Sequence, residues 1–295
     1  MWTRLPTLPP VDKLARMPAL EIDETPKPVL SWALLPSVLL SGSALFLYPL
    51  RDDWRLLGYG VLALALVLAF VIDRTKLFRD LLLIAVGMLI VSLVSVKADI
   101  SWGNFFLVGF ILAAAVATPY LISRFVFKDR VIRFPWRAGK KWTKLQWSYF
   151  AFILFLGWLI LPTYFISSGV YLNWPESVSS PDEIGRFLIG VNAVGTWDEL
   201  FFICTVFVLF RRHFPMWLAN LLQMVVFVSF LWELGYTAWG PVLTIPFALL
   251  QGFTFTITRS LTYVLIVHLL FDLVVFLVIV HARNPEMFPF FIVWF

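Results

Sequence analysis

From residue 29 onward the chain alternates between long apolar stretches and short polar turns. Nine windows approach the about 17–25 residues that a helix needs to cross a hydrocarbon core. They are Val29–Leu50, Leu56–Ile72, Leu81–Val96, Phe105–Ile122, Trp147–Ile166, Phe187–Phe210, Met216–Leu234, Pro241–Ile257 and Leu261–His281. The third is short, and Pro246 and Gly252 interrupt the eighth. The strict alternation of a membrane barrel is absent, and over such uniform runs only helices satisfy their own backbone within lipid. The pattern therefore predicts an all-α polytopic membrane protein of eight or nine transmembrane helices.

Composition agrees with the pattern. Apolar residues make up 61% of the chain and charged residues 14%, with mean hydropathy +0.88. Soluble domains run at about 45–50% and about 25%. Five segments follow: a Pro-rich cytoplasmic or interfacial arm at 1–28, a four-helix membrane region at 29–122, a basic loop at 123–146, a membrane core at 147–283 and an apolar interfacial tail at 284–295. The arm lacks the basic-then-apolar order of a cleaved signal peptide. Cys204 is the one cysteine, which excludes an intrachain disulfide and suits a small packing residue.

Charge sets the expected orientation. The segment after span four carries Arg124, Lys128, Arg130, Arg133, Arg137, Lys140, Lys141 and Lys144 against Asp129 alone, whereas Ser167–Gly185 holds Glu176, Asp182 and Glu183 with no Lys or Arg. Basic loops stay cytoplasmic, so the N-terminus is expected inside and, with nine spans, the C-terminus outside. The loop's mixture of cations with Phe125, Phe127, Phe134, Trp136 and Trp142 fits attraction to anionic headgroups at about 1 kcal/mol per charge. Anionic lipids and the bilayer are thus the expected partners, with no nucleic acid, and the expected location is the plasma (inner) membrane of a bacterium.

Against this background five residues stand out. Asp198, Glu199, Glu233, His268 and Asp272 all lie within apolar runs. A carboxylate at the bilayer centre costs about 2.5–3.5 kcal/mol on insertion scales, so such residues turn inward and mark functional sites. Asp198 and Glu199 are adjacent, about 100° apart on a helix, so both can border one cavity without pointing the same way. His268 and Asp272 form an i,i+4 pair on one face. Carboxyl groups crowded in low dielectric cannot all be ionised, and a carboxylate kept near neutrality is suited to act as a general base. The histidine can stabilise an oxyanion or bind a metal, with Asp272 fixing its tautomer. If a divalent ion is bound, Glu199, Glu233, His268 and Asp272 are its candidate ligands. The bland alternative is a set of interhelical hydrogen bonds worth about 0.6 kcal/mol each.

In order, the chain presents Trp197-Asp198-Glu199-Leu200-Phe201-Phe202, a basic turn Arg211-Arg212-His213-Phe214, an aromatic-rich helix ending Ser229-Phe-Leu-Trp-Glu233, and Phe247-Ala-Leu-Leu-Gln-Gly-Phe followed by Thr258-Arg259-Ser260-Leu261 and His268-Leu-Leu-Phe-Asp272. Over Phe187–Ala282 this resembles the CPBP intramembrane peptidases, relatives of the type II CAAX prenyl endopeptidase. The resemblance implies that Asp198 and Glu199 occupy the places of the family's two glutamates, the first of which activates water with a histidine of the second motif. It also implies that His268 and Asp272 take the third motif, which stabilises the oxyanion. The chain departs at Asp198 (shorter than glutamate), Ile203 (for arginine), Cys204 (for glycine) and Glu233 (for the second-motif histidine).

Two functions follow. The first is an intramembrane endopeptidase-like protein that hydrolyses membrane-associated peptide or protein substrates at Asp198, Glu199, Glu233, His268 and Asp272. The second is an inactive family member serving as a scaffold or regulator of another membrane enzyme. A proton- or ion-coupled transporter fits the buried acids, but no internal repeat supports it.

Overall fold

A computed structural model describes residues 28–136 and 141–293. Most of the expected arm, together with Arg137 and Lys140 of the basic loop and the last two residues of the tail, lies outside them. The described residues form nine main helices, one per apolar window. They are α1 (Leu34–Leu47), α2 (Arg51–Ile72), α3 (Leu77–Val91), α4 (Trp102–Leu121), α5 (Lys144–Pro162), α6 (Pro181–Asp198), α7 (Met216–Leu234), α8 (Gly240–Thr258) and α9 (Leu261–Arg283). Seven are long and apolar enough to cross a membrane, counting α4, α5 and α6 with their continuations. The exceptions are α1 and α3, with 14 and 15 residues. At 1.5 Å per residue they span only about 21–23 Å, so the expected eight or nine full spans become seven long helices and two short ones.

Local chemistry sets the ends. Ser180 and Glu183 form a reciprocal cap at the start of α6, with Pro181 at its first position. Thr143 and Gln146 do the same for α5. The α9 helix starts at Ser260, whose Oγ accepts from the Tyr263 N–H at 3.3 Å, directly after Arg259 ends α8 in the left-handed region at φ 50°. The α6 helix does not stop at Asp198. It widens into a π-helical run, Glu199–Phe207, and closes as Val208–Arg211.

Cross-chain bonds sort the turns into two ends. At one, Arg212 Nη1 bonds Asp80 at 2.9 Å and Asp129 at 2.6 Å, and the Pro135 carbonyl accepts from the Leu261 N–H at 2.8 Å. The α2–α3 turn, the basic loop and the α6–α7 and α8–α9 turns therefore share this end. At the other, Arg186 bonds the Ile100 carbonyl at 2.5 Å and Arg283 that of Trp174 at 2.9 Å. There Asn173 Nδ2 bonds the Gly235 carbonyl at 3.2 Å. The basic loop and Ser167–Gly185 thus lie at opposite ends, as alternating spans require.

Between these ends sits a core rich in aromatic side chains. Phe201, Phe202, Phe207, Phe227 and Phe230 are all fully enclosed, and Phe202 stacks on Phe227 with ring centres 4.4 Å apart. Cys204 is buried and free, in keeping with a packing role. This aromatic core fixes α6 against α7 and so positions the junction at Asp198 and Glu199.

Candidate active site

Four of the five acid and imidazole side chains meet at the α6–α9 crossing. His268 Nδ1 lies 2.7 Å from Glu199 Oε1. On the other side of the ring, Nε2 lies 3.6 Å from Asp198 Oδ2 and 3.8 Å from Asp272 Oδ2. Adjacent residues on one helix cannot point the same way, and here they do not need to. The imidazole is inserted between them and offers one nitrogen to each. Asp198, Glu199, His268 and Asp272 are each 5% exposed or less. Phe247 meets the imidazole edge to face at 4.9 Å and holds the ring in plane.

Glu199 has a second partner. Gln251 Nε2 of α8 donates to the same Oε1 at 2.8 Å. With that oxygen accepting from an amide, the short contact on its other side is best satisfied by a Nδ1–H donor on His268. Several oxygens are left over. Asp198 Oδ1, Glu199 Oε2 and Asp272 Oδ2 are buried and have no hydrogen-bond partner among the described residues. Buried polar atoms are paired in the great majority of cases, so this concentration at one crossing points to a ligand, a proton or a water that completes it.

The Nε2 side opens on a cavity of about 770 Å³ that Asp198, His268 and Asp272 line together with α4, α6 and the residue 96–100 turn. Its wall is otherwise largely apolar, with Phe105, Val108, Leu112, Val194 and Phe271 prominent. Gly195 allows the close approach of α6 and α9. A Cβ there would stand 2.0 Å from Asp272 Oδ2 and 3.2 Å from His268 Cδ2.

Glu233 does not join this group, contrary to the expectation that all five converge. Its Oε1 is held at 2.8 Å by Arg51 Nη1, the first residue of α2. The same guanidinium bonds the carbonyls of Val94 and Ser92. The reason is register: Glu233 falls in the last turn of α7, level with the α1–α2 and α3–α4 turns, whereas Asp198 and His268 sit inside their membrane segments. The candidate metal ligands Glu199, Glu233, His268 and Asp272 consequently do not form a ligand set. Among the described residues no group of three or more His, Cys, Asp or Glu side chains is arranged to hold a metal ion.

Reasoning from the sequence missed three contributors. Gln251 reads as an ordinary interhelical polar residue, and nothing beside it in the chain marks it as a partner of Glu199. Gly195 carries the signal of a glycine inside a helix, which usually has a packing reason. Arg51 carries none, because its partner lies 182 residues away.

Fold and site together define a polytopic helical membrane protein with a buried acid–imidazole cluster open to an apolar cavity. Residues 180–274 match the family model described as Rce1-like, type II CAAX prenyl endopeptidase Rce1-like. This match supports the CPBP resemblance that the motif order carries. The comparison with curated proteins finds no match, and neither does that with solved structures.

Proposed function

We propose that the protein is an intramembrane endopeptidase that hydrolyses membrane-associated peptide or protein substrates at the Asp198–Glu199–His268–Asp272 crossing. One observation carries this reading. The His268 ring is held from behind by Glu199, itself fixed by Gln251, while its Nε2, Asp198 and Asp272 face a shared apolar cavity. The gaps of 3.6 and 3.8 Å from Nε2 to the two carboxyl groups are too wide for direct hydrogen bonds. A bridging water or substrate atom suits them.

The chemistry assigns each residue a part. Water, placed between Asp198 and His268, attacks the scissile carbonyl carbon as the Asp198 carboxylate takes its proton. The carbonyl oxygen becomes an oxyanion that accepts a hydrogen bond from Nε2–H of His268, which acts as an imidazolium and donates its Nδ1–H to Glu199. Asp198 then returns the proton to the leaving amine as the carbon–nitrogen bond breaks. Removing one oxyanion donor typically costs about 10²–10³ in rate. Asp272 aligns the water and the ring, and Glu233 serves structure through Arg51. A substrate that carries an apolar residue or lipid group beside its scissile bond suits the cavity wall.

The direct test is a comparison of protein termini in membranes from cells expressing the wild-type chain, Asp198→Asn or His268→Ala. Under this reading a set of new N-termini appears only with the wild type. Identical termini in all three, together with unchanged cellular function, would favour the scaffold reading.

A further inference from the structure

At the end of the bundle that carries the basic loop lies a second cavity, of about 360 Å³, separate from the His268 crossing. Three distant stretches build it: Lys76, Arg79 and Asp80 from the start of α3, Lys128 and Asp129 from the turn after α4, and Arg212 from the α6–α7 turn. Four cations face two carboxylates, and the carboxylates are already committed. Arg212 Nη1 binds both, Asp80 at 2.9 Å and Asp129 at 2.6 Å. Asp80 also contacts His213 Nε2 at 2.7 Å. The nearby Asp73 carboxylate is occupied by its own turn, where it accepts from the N–H groups of Thr75 and Lys76. Lys76, Arg79 and Lys128 have no carboxylate partner among the described residues, and all three are exposed. The backbone at Lys128 adopts a left-handed conformation at φ 55°, an unfavourable geometry for a non-glycine residue.

The surroundings indicate what kind of anion fits. Phe125 and Val126, on the same turn as Lys128, are 66% and 67% exposed, and Val71, just before the α2–α3 turn, is 75% exposed. An excess of positive charge thus sits at the edge of an apolar belt, where headgroups meet acyl chains. We propose that this cavity is a phosphate site, and that its occupant is the headgroup phosphate of an anionic glycerophospholipid whose acyl chains lie along Phe125, Val126 and Val71. Lys76, Arg79 and Lys128 bind the phosphate oxygens. Arg212, clamped by Asp80 and Asp129, forms the floor. The site ties the N-terminal helices to the Rce1-like domain through a lipid.

The test uses the full-length protein, delipidated in detergent, with bound lipid counted by native mass spectrometry. Dioleoyl phosphatidylglycerol, dioleoyl phosphatidylcholine and inorganic phosphate are titrated separately. Saturable uptake of one phosphatidylglycerol is expected, at least tenfold tighter than phosphatidylcholine. The Lys76→Ala/Arg79→Ala/Lys128→Ala variant should lose at least tenfold in that affinity. A control that removes equal charge outside the cavity, Arg130→Ala/Lys141→Ala/Lys144→Ala, should stay within twofold. Equal losses in both variants would mean diffuse attraction and overturn the site, as would equal uptake of the two lipids or none. Displacement of phosphatidylglycerol by millimolar inorganic phosphate, with loss of lipid selectivity, would make the site one for a soluble phosphate compound and overturn the lipid assignment.

Discussion

At the residue scale, burial forced a readable set of acids, but partnership decided their roles. Asp198, Glu199, His268 and Asp272 were legible because ionisable residues inside apolar runs must turn inward. Glu233 has the same sequence character, and only Arg51, 182 positions earlier, shows that it belongs elsewhere. Breaking a buried ion pair typically costs about 3–5 kcal/mol. Arg51→Ala should therefore lower the thermal midpoint markedly. Arg51→Leu/Glu233→Leu should recover most of that loss and keep its cleavage rate per folded molecule. An inactive but stable double variant would return Glu233 to the chemistry. Gly195→Ala is expected to destabilise by about 1–3 kcal/mol, the usual cost of overpacking, and to abolish cleavage by displacing Asp272. Gly190→Ala, where the new Cβ would meet nothing nearer than Phe105 Cε2 at 3.8 Å, should be tolerated, and thermal denaturation with an activity assay checks both. If Gly195→Ala is as stable and active as wild type, the close α6–α9 approach is not required.

At the element scale, hydropathy located the nine main helices of the described residues but not their form. Apolar windows mark where a backbone must satisfy itself, so helix existence was plain and the ends fell within a few residues. The π-helical run Glu199–Phe207 was invisible, because apolar content is the same in either winding. Such segments occur often at functional sites, and this one begins at the residue that holds His268. Lengths were overread for α1 and α3, where apolar turn residues such as Leu93 and Val94 lengthened the window. The start of α3 depends on Asp73, whose carboxylate accepts from the Thr75 hydroxyl at 2.6 Å and from following backbone N–H groups. The Thr75 hydroxyl chiefly, with those N–H groups, pulls its pKa down to about 2. The ordinary aspartate value is about 3.9. A lowered folded-state pKa stabilises above the unfolded value, so this contribution is complete above about pH 4 and disappears as pH falls through about 2. Hydrogen exchange at Leu77–Asp80 should accelerate across that window in the wild type. In Asp73→Ala it should be faster at neutral pH, because the side-chain bonds that hold the turn before α3 are lost, and lack that acid step. Equal protection in both would mean that the Asp73 side chain does not support the start of α3.

At the scale of the whole molecule, polar ties join the N-terminal helices to the Rce1-like domain at both ends, Arg51–Glu233 and Arg186–Ile100 at one, Arg212–Asp80 and His213–Asp80 at the other. The four N-terminal helices are therefore part of the folded body, and α4 lines the cavity that leads to His268. Charge asymmetry made the sides legible in relative terms. The absolute orientation is our proposal, with the basic loop and the N-terminus cytoplasmic. In a Cys204→Ser background, a membrane-impermeant thiol reagent applied to intact cells should label Glu176→Cys and spare Lys141→Cys. The reverse pattern would invert the topology.

Proteoliposome kinetics decide whether the His268 crossing hydrolyses peptide bonds. Purified protein would be reconstituted with a substrate identified from the terminal comparison, and cleavage measured for wild type, Asp198→Asn and His268→Ala. Cleavage by the wild type should fall by about 10²–10³ in His268→Ala, the range for loss of an oxyanion donor, and to background in Asp198→Asn, with thermal midpoints close to wild type. Rates within about twofold of wild type for both variants would contradict hydrolysis at that crossing.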